Sequence, residues 1–324
     1  MISLVCTTIN PNAEYLIKNI KKFNISKRPS YIILDRKVSV APSGTEYIAF
    51  NDEKSNDYRK LSLFDTYARK NIGYIEAFKE GLDVFETDDD NLLTIEIKDL
   101  ESYLVKKKHD CVTGQKANLF TKIYNPNGNT FWARGLPLNL RNTKASLTKC
   151  GKKKVGVFQF LVNGNPDLDA IYRLVIPSTN DFTVKNSFKS IHLHNFYHPF
   201  NSQGTLWRKE YLKLAYLPTF CSFRMTDIWR GYITQNILYK HDIAISFEKP
   251  ALYQKRNPHD IFDDFMGEYK GYAENSDFLE AITNIKYGSM NEMLIHTYEK
   301  LIKLNIISDK RELVLLDAYL DNFN

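Results

Sequence analysis

Asp88, Asp89 and Asp90 stand side by side in the stretch VFETDDDN, with Glu86 two positions upstream and the apolar pair Leu92 and Leu93 just after. Residues i and i+2 of an extended segment point the same way. That turns Asp88 and Asp90 toward one point and Asp89 away. Two carboxylates held close together repel unless a proton or a cation lies between them. All-oxygen donors suit Mg²⁺ or Mn²⁺, and Mg²⁺ commonly takes one or two carboxylates together with substrate phosphates. The chemistry suggested is a metal–diphosphate site. The competing reading is a solvated turn, for which Asp and Asn are equally suited.

Other residues bear on that choice. Arg69 and Lys70, in YARKNIGY, would neutralise a diphosphate's charge, or else be surface charges at a helix start. Asp35 ends an apolar run and would accept from a ribose hydroxyl or a base N–H, or cap the next turn. Thr7 also falls at a strand end, on the nucleoside side. Asp167 and Asp169, in NPDLDAIYRL, form a second acidic pair, suited to sugar hydroxyls or to opening a helix. Arg173 and Arg230 would pair with these acids or with phosphate. His192, His194 and His198, in HLHNFYH, lack the carboxylate or Cys spacing of a zinc site and read as a strand with polar edges, or as acceptor contacts. Trp132, Trp207 and Trp229 read as core, with stacking of one of them on a sugar ring as the alternative.

The elements that must position these groups alternate. ISLVCTTI, SYIILD, EYIAF and LDVFET read as buried strands. Residues 13–23 read as a helix with Leu16, Ile17, Ile20 and Phe23 on one face. LSLFDTYARKNIGYIEAFKEG reads as one helix closing on Gly81. Alternation of this kind predicts an α/β fold with a mostly parallel central sheet covered by helices. Ligands of such sheets bind beyond the carboxyl ends of the strands, where Thr7, Asp35 and Asp88–Asp90 fall. Residues 110–250 mix short strands with Gly, Pro and Asn loops. From about 260 the pattern turns helical, with Ile261, Phe265, Tyr269 and Tyr272 on the expected buried face.

The 324 residues are 43% hydrophobic, enough for a large core. Net charge is only +6 and no basic-aromatic pattern appears, so nucleic-acid binding is not indicated. The four cysteines lie far apart and read as reduced thiols of a cytosolic protein. No signal peptide or membrane span is legible, so the expected location is cytoplasmic, at most peripheral to a membrane. Oligomeric state is not legible.

LVCTTINPN, YIILDRK, YARKNIGYIEAFKEG, FETDDDN, FWARGLPL, NPDLDAIYRL, NSQGT, TDIWRGYITQ and QKRNPHD follow in an order and spacing that resembles the STELLO-like proteins. These resemble glycosyltransferases of the GT-A fold and, more distantly, the plant reversibly glycosylated polypeptides. The resemblance runs from Ser3 to about Asp260. It implies a GT-A-type nucleotide-sugar-binding and acceptor domain over residues 1–260, with 261–324 as a helical extension packed on it. It implies a divalent ion, Mn²⁺ or Mg²⁺, held by Asp88 and Asp90, with Asp89 in an alternative register. His259 is the candidate for a further metal ligand, and Asp227 for the base that deprotonates the acceptor, unless it caps its helix. The implied partners are a nucleotide-sugar donor, UDP-sugar favoured, and a glycan or lipid-linked acceptor. The membrane anchor and second domain of the plant proteins are not found here. The Lys-, Asn- and Ile-heavy composition looks bacterial, and for a protein of the resembled type that implies cytoplasmic assembly of a surface polysaccharide, on a lipid-linked acceptor at the inner leaflet. The alternatives are a mutase acting on the donor alone and a non-catalytic scaffold.

Overall fold

The computed structural model describes residues 1–10, 12–34, 57–125, 130–176, 181–255 and 260–323, and the backbone of 48–49. Strand β1 (Ile2–Thr8) is buried at every position except Thr7, as a strand covered on both faces must be. Helix α1 (Glu14–Ile25) follows and packs Leu16, Ile20 and Phe23 inward, with Asn19 in place of the expected Ile17. Next come β2 (Ser30–Leu34), β3 (Ile48–Ala49), α2 (Asp57–Leu61), α3 (Lys70–Lys79) and β4 (Asp83–Thr87). The single helix expected over LSLFDTYARKNIGYIEAFKEG is therefore broken. Asp65 has a positive φ of 57°, which no helix accommodates, and a 3₁₀ turn at Tyr67–Arg69 leads into α3. The stop at Gly81 holds: its φ is +70°, and Leu82 N–H reaches back to Ala77 O at 2.9 Å.

The remaining elements are β5 (Asn91–Leu93), α4 (Ile97–Val105), β6 (Lys108–Gly114), α5 (Phe120–Ile123), β7 (Leu147–Gly164), α6 (Ala170–Val175), β8 (Ile191–Leu193), β9 (Gly204–Trp207), α7 (Thr226–Lys240), β10 (Ile243–Gln254), α8 (Ile261–Thr283), α9 (Met290–Lys303) and α10 (Arg311–Leu320). The strands form one ten-stranded sheet in the order β3-β2-β1-β4-β9-β7-β6-β8-β10-β5, with β7 also paired to β10. β1, β2, β3 and β4 pair in parallel. β4 and β7 are both antiparallel to β9, and β10 is parallel to β7, so all six of these strands point one way. The other four run against them. The chain is thus an α/β protein with a large, mostly parallel sheet. One core cluster lies under α1 and α4, the other under α3, α7 and the C-terminal helices. Trp132, Trp207 and Trp229 are buried, as expected.

Helix α8 overturns one expectation. Its first turns bury Asp264, Glu268 and Gly271 and leave Ile261, Phe262, Met266 and Tyr269 exposed. The acidic face is the one with partners. Arg224 donates to Glu268 Oε1 at 2.8 Å, and Ala170 N–H donates to Glu268 Oε2 at 3.0 Å. Among the described residues no helix is long and apolar enough to cross a membrane.

Candidate active site

The block KNIGY shows how the sequence builds one wall. Gly73 brings α3 so close to the sheet that a Cβ there would sit 2.5 Å from Val5 Cγ1. Asn71, buried, is bonded through Nδ2 to Tyr58 Oη and Leu217 O, and its Oδ1 accepts from Leu217 N–H. Tyr74 donates its hydroxyl to Glu86. Glu86 also accepts from Trp207 Nε1 at 2.8 Å and from Arg230 at 2.9 Å. Glu86 and Arg230 are thus a core ion pair, and Arg230 lies behind the site rather than on a phosphate path.

Lys70 is the first residue of α3 and fully buried. Its Nζ donates to Asp88 Oδ1 at 3.0 Å and to Thr87 O at 3.1 Å. Burial alone would lower its pKa, but Asp88 and Glu86 outweigh burial and raise it. Lys70 is therefore a fixed cation beside the aspartates, not a surface charge. Arg69, also buried, stacks over Phe64 and lines the same cavity.

That cavity has a volume of about 630 Å³ and lies at the carboxyl ends of β1, β2, β4 and β10. Small-molecule sites run from roughly 300 to 1,000 Å³. Thr7, Thr8 and Ile33 line it from β1 and β2, and Asp88, Asp89 and Asp90 from the turn after β4. The segment is not extended: Asn91 N–H closes a turn on Asp88 O at 3.3 Å. Asp89 therefore faces the cavity with its neighbours instead of pointing away. Thr8 donates to Asp89 Oδ2 at 2.6 Å, and Gln254, at the end of β10, donates to Asp90 Oδ2 at 2.7 Å. Burial, with repulsion from Asp88 behind it, pushes the Asp90 carboxyl up to about 7, and burial raises Asp89 too. Such a group is stabilised by a cation.

Across the cavity stand Asp167, Asp227 and Arg134. Arg134 donates to both Asp167 oxygens at 2.9 Å and to the two Asp227 oxygens at 3.0 and 3.1 Å. Burial works to raise both carboxyls, and Arg134 more than reverses it, leaving each below its usual range. Asp227 lies in the first turn of α7 and makes no cap; Met225 holds the N-cap position. Asp227 also accepts from Ser202 N–H at 3.2 Å. The Ser202 hydroxyl touches the Tyr67 hydroxyl, which donates to Asp88 Oδ1 at 2.5 Å. The aspartates after β4 and the acids across the cavity thus form one hydrogen-bonded chain.

Asp167 and Asp169 do not act as a pair. Asp169 turns under α8, caps α6 by accepting from Ile171 N–H at 2.9 Å, and takes a bond from the Tyr272 hydroxyl. Burial, then the nearby Glu268 carboxylate, lifts its pKa to about 7. An acid whose pKa is higher folded than unfolded holds its extra proton between about pH 4 and pH 7, so stability is lost as pH rises through that window. Asp169→Asn keeps a capping oxygen and removes the buried charge. We expect it to raise the melting temperature by roughly 4 °C at pH 8 and by far less at pH 5, read by calorimetry at both pH values. Equal gains at the two would refute it.

Arg173 donates to Pro166 O at 2.7 Å and does not line the cavity. Asp35 and His259 lie outside the described residues. His192 and His194 fall on or beside β8, and His198 is buried against Phe120 and Phe247. Among the described residues no group of three or more His, Cys, Asp and Glu is arranged to hold a metal ion. An ion placed between Asp88 and Asp90 would meet two carboxylates and would need phosphate oxygens and water to complete its shell. The burial-raised Asp90 fits that role.

Arg134, Tyr67, Arg224 and Gln254 were not singled out from the sequence, yet they line the cavity. Arg134 lies in FWARGLPL, which stood out only as a block, because nothing local tells which loop arginine turns inward.

A family model described as STELLO glycosyltransferases matches residues 224–324. Two curated relatives from Arabidopsis thaliana, Probable glycosyltransferase STELLO1 and Probable glycosyltransferase STELLO2, are each 24% identical to the chain, over 234 and 230 residues. Over these stretches the chain is similar to the STELLO glycosyltransferases. Each alignment covers 65% of this chain and 30% of the relative, so the chain spans about a third of the length of the curated proteins it matches. The STELLO match takes in Arg224, Asp227, Gln254 and helices α7 to α10, and lies beyond Asp88–Asp90.

Proposed function

We propose that the chain is a glycosyltransferase that moves a sugar from a nucleotide-sugar donor, a UDP-sugar first, to a glycan or lipid-linked acceptor. The observation that carries this reading is the convergence of Asp88, Asp89 and Asp90 on a cavity at the carboxyl edge of a parallel sheet, with Asp90 raised to about 7. Two such carboxylates and a buried lysine are the surroundings expected of a diphosphate bound through a divalent cation. The likeness to the STELLO glycosyltransferases supports the same class.

Asp88 and Asp90 would hold Mn²⁺ or Mg²⁺, and such an ion would supply Lewis-acid stabilisation to a departing diphosphate. Lys70 fixes Asp88, and Arg69 adds positive charge to the cavity wall. Thr7 and Thr8 face the donor from β1. Asp227 and Asp167 stay ionised throughout the neutral range and accept hydrogen bonds from acceptor or sugar hydroxyls. In transfer, the bond from sugar C1 to the diphosphate oxygen breaks, and a bond from acceptor oxygen to C1 forms. Asp227 is placed to take the proton from the acceptor hydroxyl, although its pairing with Arg134 makes it a weak base.

Calorimetric titration of UDP and the other nucleoside diphosphates, with Mn²⁺ and with EDTA, tests the donor site on wild type and Asp90→Asn. Binding that needs both the metal and Asp90 is expected. No metal-dependent binding of any nucleotide would overturn the reading. Ring-form conversion of a donor without acceptor would make the protein a mutase.

A further inference from the structure

The first three turns of α8 are inside out. Phe262, Met266 and Tyr269 are 59%, 56% and 58% exposed, and Ala273 is exposed after them. At about 3.6 residues per turn these four share one narrow face, opposite Asp264, Glu268, Gly271 and Asn275. Beyond Ala273 the helix reverts to ordinary burial, with Phe278, Leu279 and Ile282 inward. Helix α6, which packs against the Glu268 side of α8, also carries exposed apolar residues, Leu174 and Val175, 43% and 70% exposed. Single exposed apolar residues are normal, but several aligned on one helix face mark an interaction surface.

Charge selects the occupant. Asp263 and Lys270 lie one heptad apart on the same edge of the stripe. When two copies of a helix pack antiparallel about a two-fold axis, like edges face each other. An axis passing beside Met266 sets Asp263 of each copy against Lys270 of the other, and Phe262 near Tyr269. The pattern is self-complementary in that orientation only. An anionic membrane is a poorer match, because Asp263, Asp277 and Glu280 are all exposed along α8.

We infer that the chain pairs with a second copy of itself through the outward face of α8, antiparallel about Met266. The stripe is smaller than the roughly 800 Å² per partner of a standard interface, so the dimer is expected to be weak, with a dissociation constant on the order of 10 µM. This inference stands apart from the donor site and survives if that reading fails.

Sedimentation velocity over about 1 to 100 µM protein tests it. Wild type is expected to pass from monomer to dimer. Met266→Glu is expected to raise the dissociation constant at least about tenfold, with an unchanged circular dichroism spectrum because the site is exposed. Lys270→Asp alone weakens pairing by about fivefold, and Asp263→Lys with Lys270→Asp restores it. A monomer at every concentration overturns the proposal, as does a dimer indifferent to Met266→Glu, or charge changes that add instead of compensating. Binding to phosphatidylcholine–phosphatidylserine vesicles through Phe262 and Met266, without self-association, would assign the face to a membrane and overturn it too.

Discussion

Arg134→Ala is expected to lose about 3–5 kcal/mol of folding stability, the cost of breaking a buried ion pair from one side. Arg134 is only 6% exposed and lies between Asp167 and Asp227, with bonds to all four carboxylate oxygens. It also donates to Arg224 O. Truncation leaves two ionised carboxylates without the cation that joins them, and Arg224, 3.9 Å from Asp167, compensates that acid only in part. Arg134→Lys will not rescue, because one ammonium lacks the planar fork that serves two carboxylates at once. The decisive comparison is Arg134→Ala in a background carrying Asp167→Asn and Asp227→Asn. There the uncompensated charges are gone, and the cost of losing Arg134 is expected to fall by about half or more. Urea denaturation of the four proteins measures it. A cost for Arg134→Ala below about 1 kcal/mol would show that water, not Arg134, solvates these acids.

The same triad marks where sequence reading stops. Strands β1, β2 and β4 were legible because their apolar runs are short, continuous and bounded by Asn, Asp or Gly. The aspartates after β4 could be placed at the ligand-binding edge from strand order alone. Their geometry could not. Extended-chain periodicity turned Asp89 away, but the backbone closes a turn there and brings it back. Arg134, Asp167 and Asp227 come from three distant loops and helix starts. What unites them is charge balance in a buried space, and one-dimensional spacing carries no record of it.

Helix α8 fails for a related reason. A stripe such as Ile261, Phe265, Tyr269, Tyr272 normally marks the buried face, because apolar burial is the largest favourable term. Here Arg224 and the N-terminus of α6 offer stronger partners to Asp264 and Glu268 than the core offers to Phe262 and Met266. The helix rotates its acids inward. Polar residues overrode periodicity at the edge of the cavity, where the fold places charges for reasons other than stability.

Asp90→Asn tests that last point directly, because its effects on stability and on binding are expected to have opposite signs. In the cation-free protein Asp90 is a carboxylate whose pKa burial, then Asp88, has raised to about 7. At pH 8 it is ionised against that penalty. From the three-unit shift the penalty is at most about 4 kcal/mol, and partial exposure to water reduces it. The amide loses one of the two bonds now donated by Asn91 and Gln254, a cost of about 1 kcal/mol. The net expectation is a gain of about 1–2 kcal/mol, or roughly 1.5–3 °C in melting temperature at pH 8. On the proposed reading the same substitution removes one of two anionic metal ligands, so UDP affinity in the presence of Mn²⁺ is expected to fall at least about 100-fold. Mn²⁺ with UDP should raise the melting temperature of wild type and leave that of the variant unchanged. A variant that is less stable and still binds would mean that Asp90 is held for structure. A variant that is more stable and blind to the metal would mean that the fold keeps like charges together at a cost in stability, and that the cation is what the cost serves.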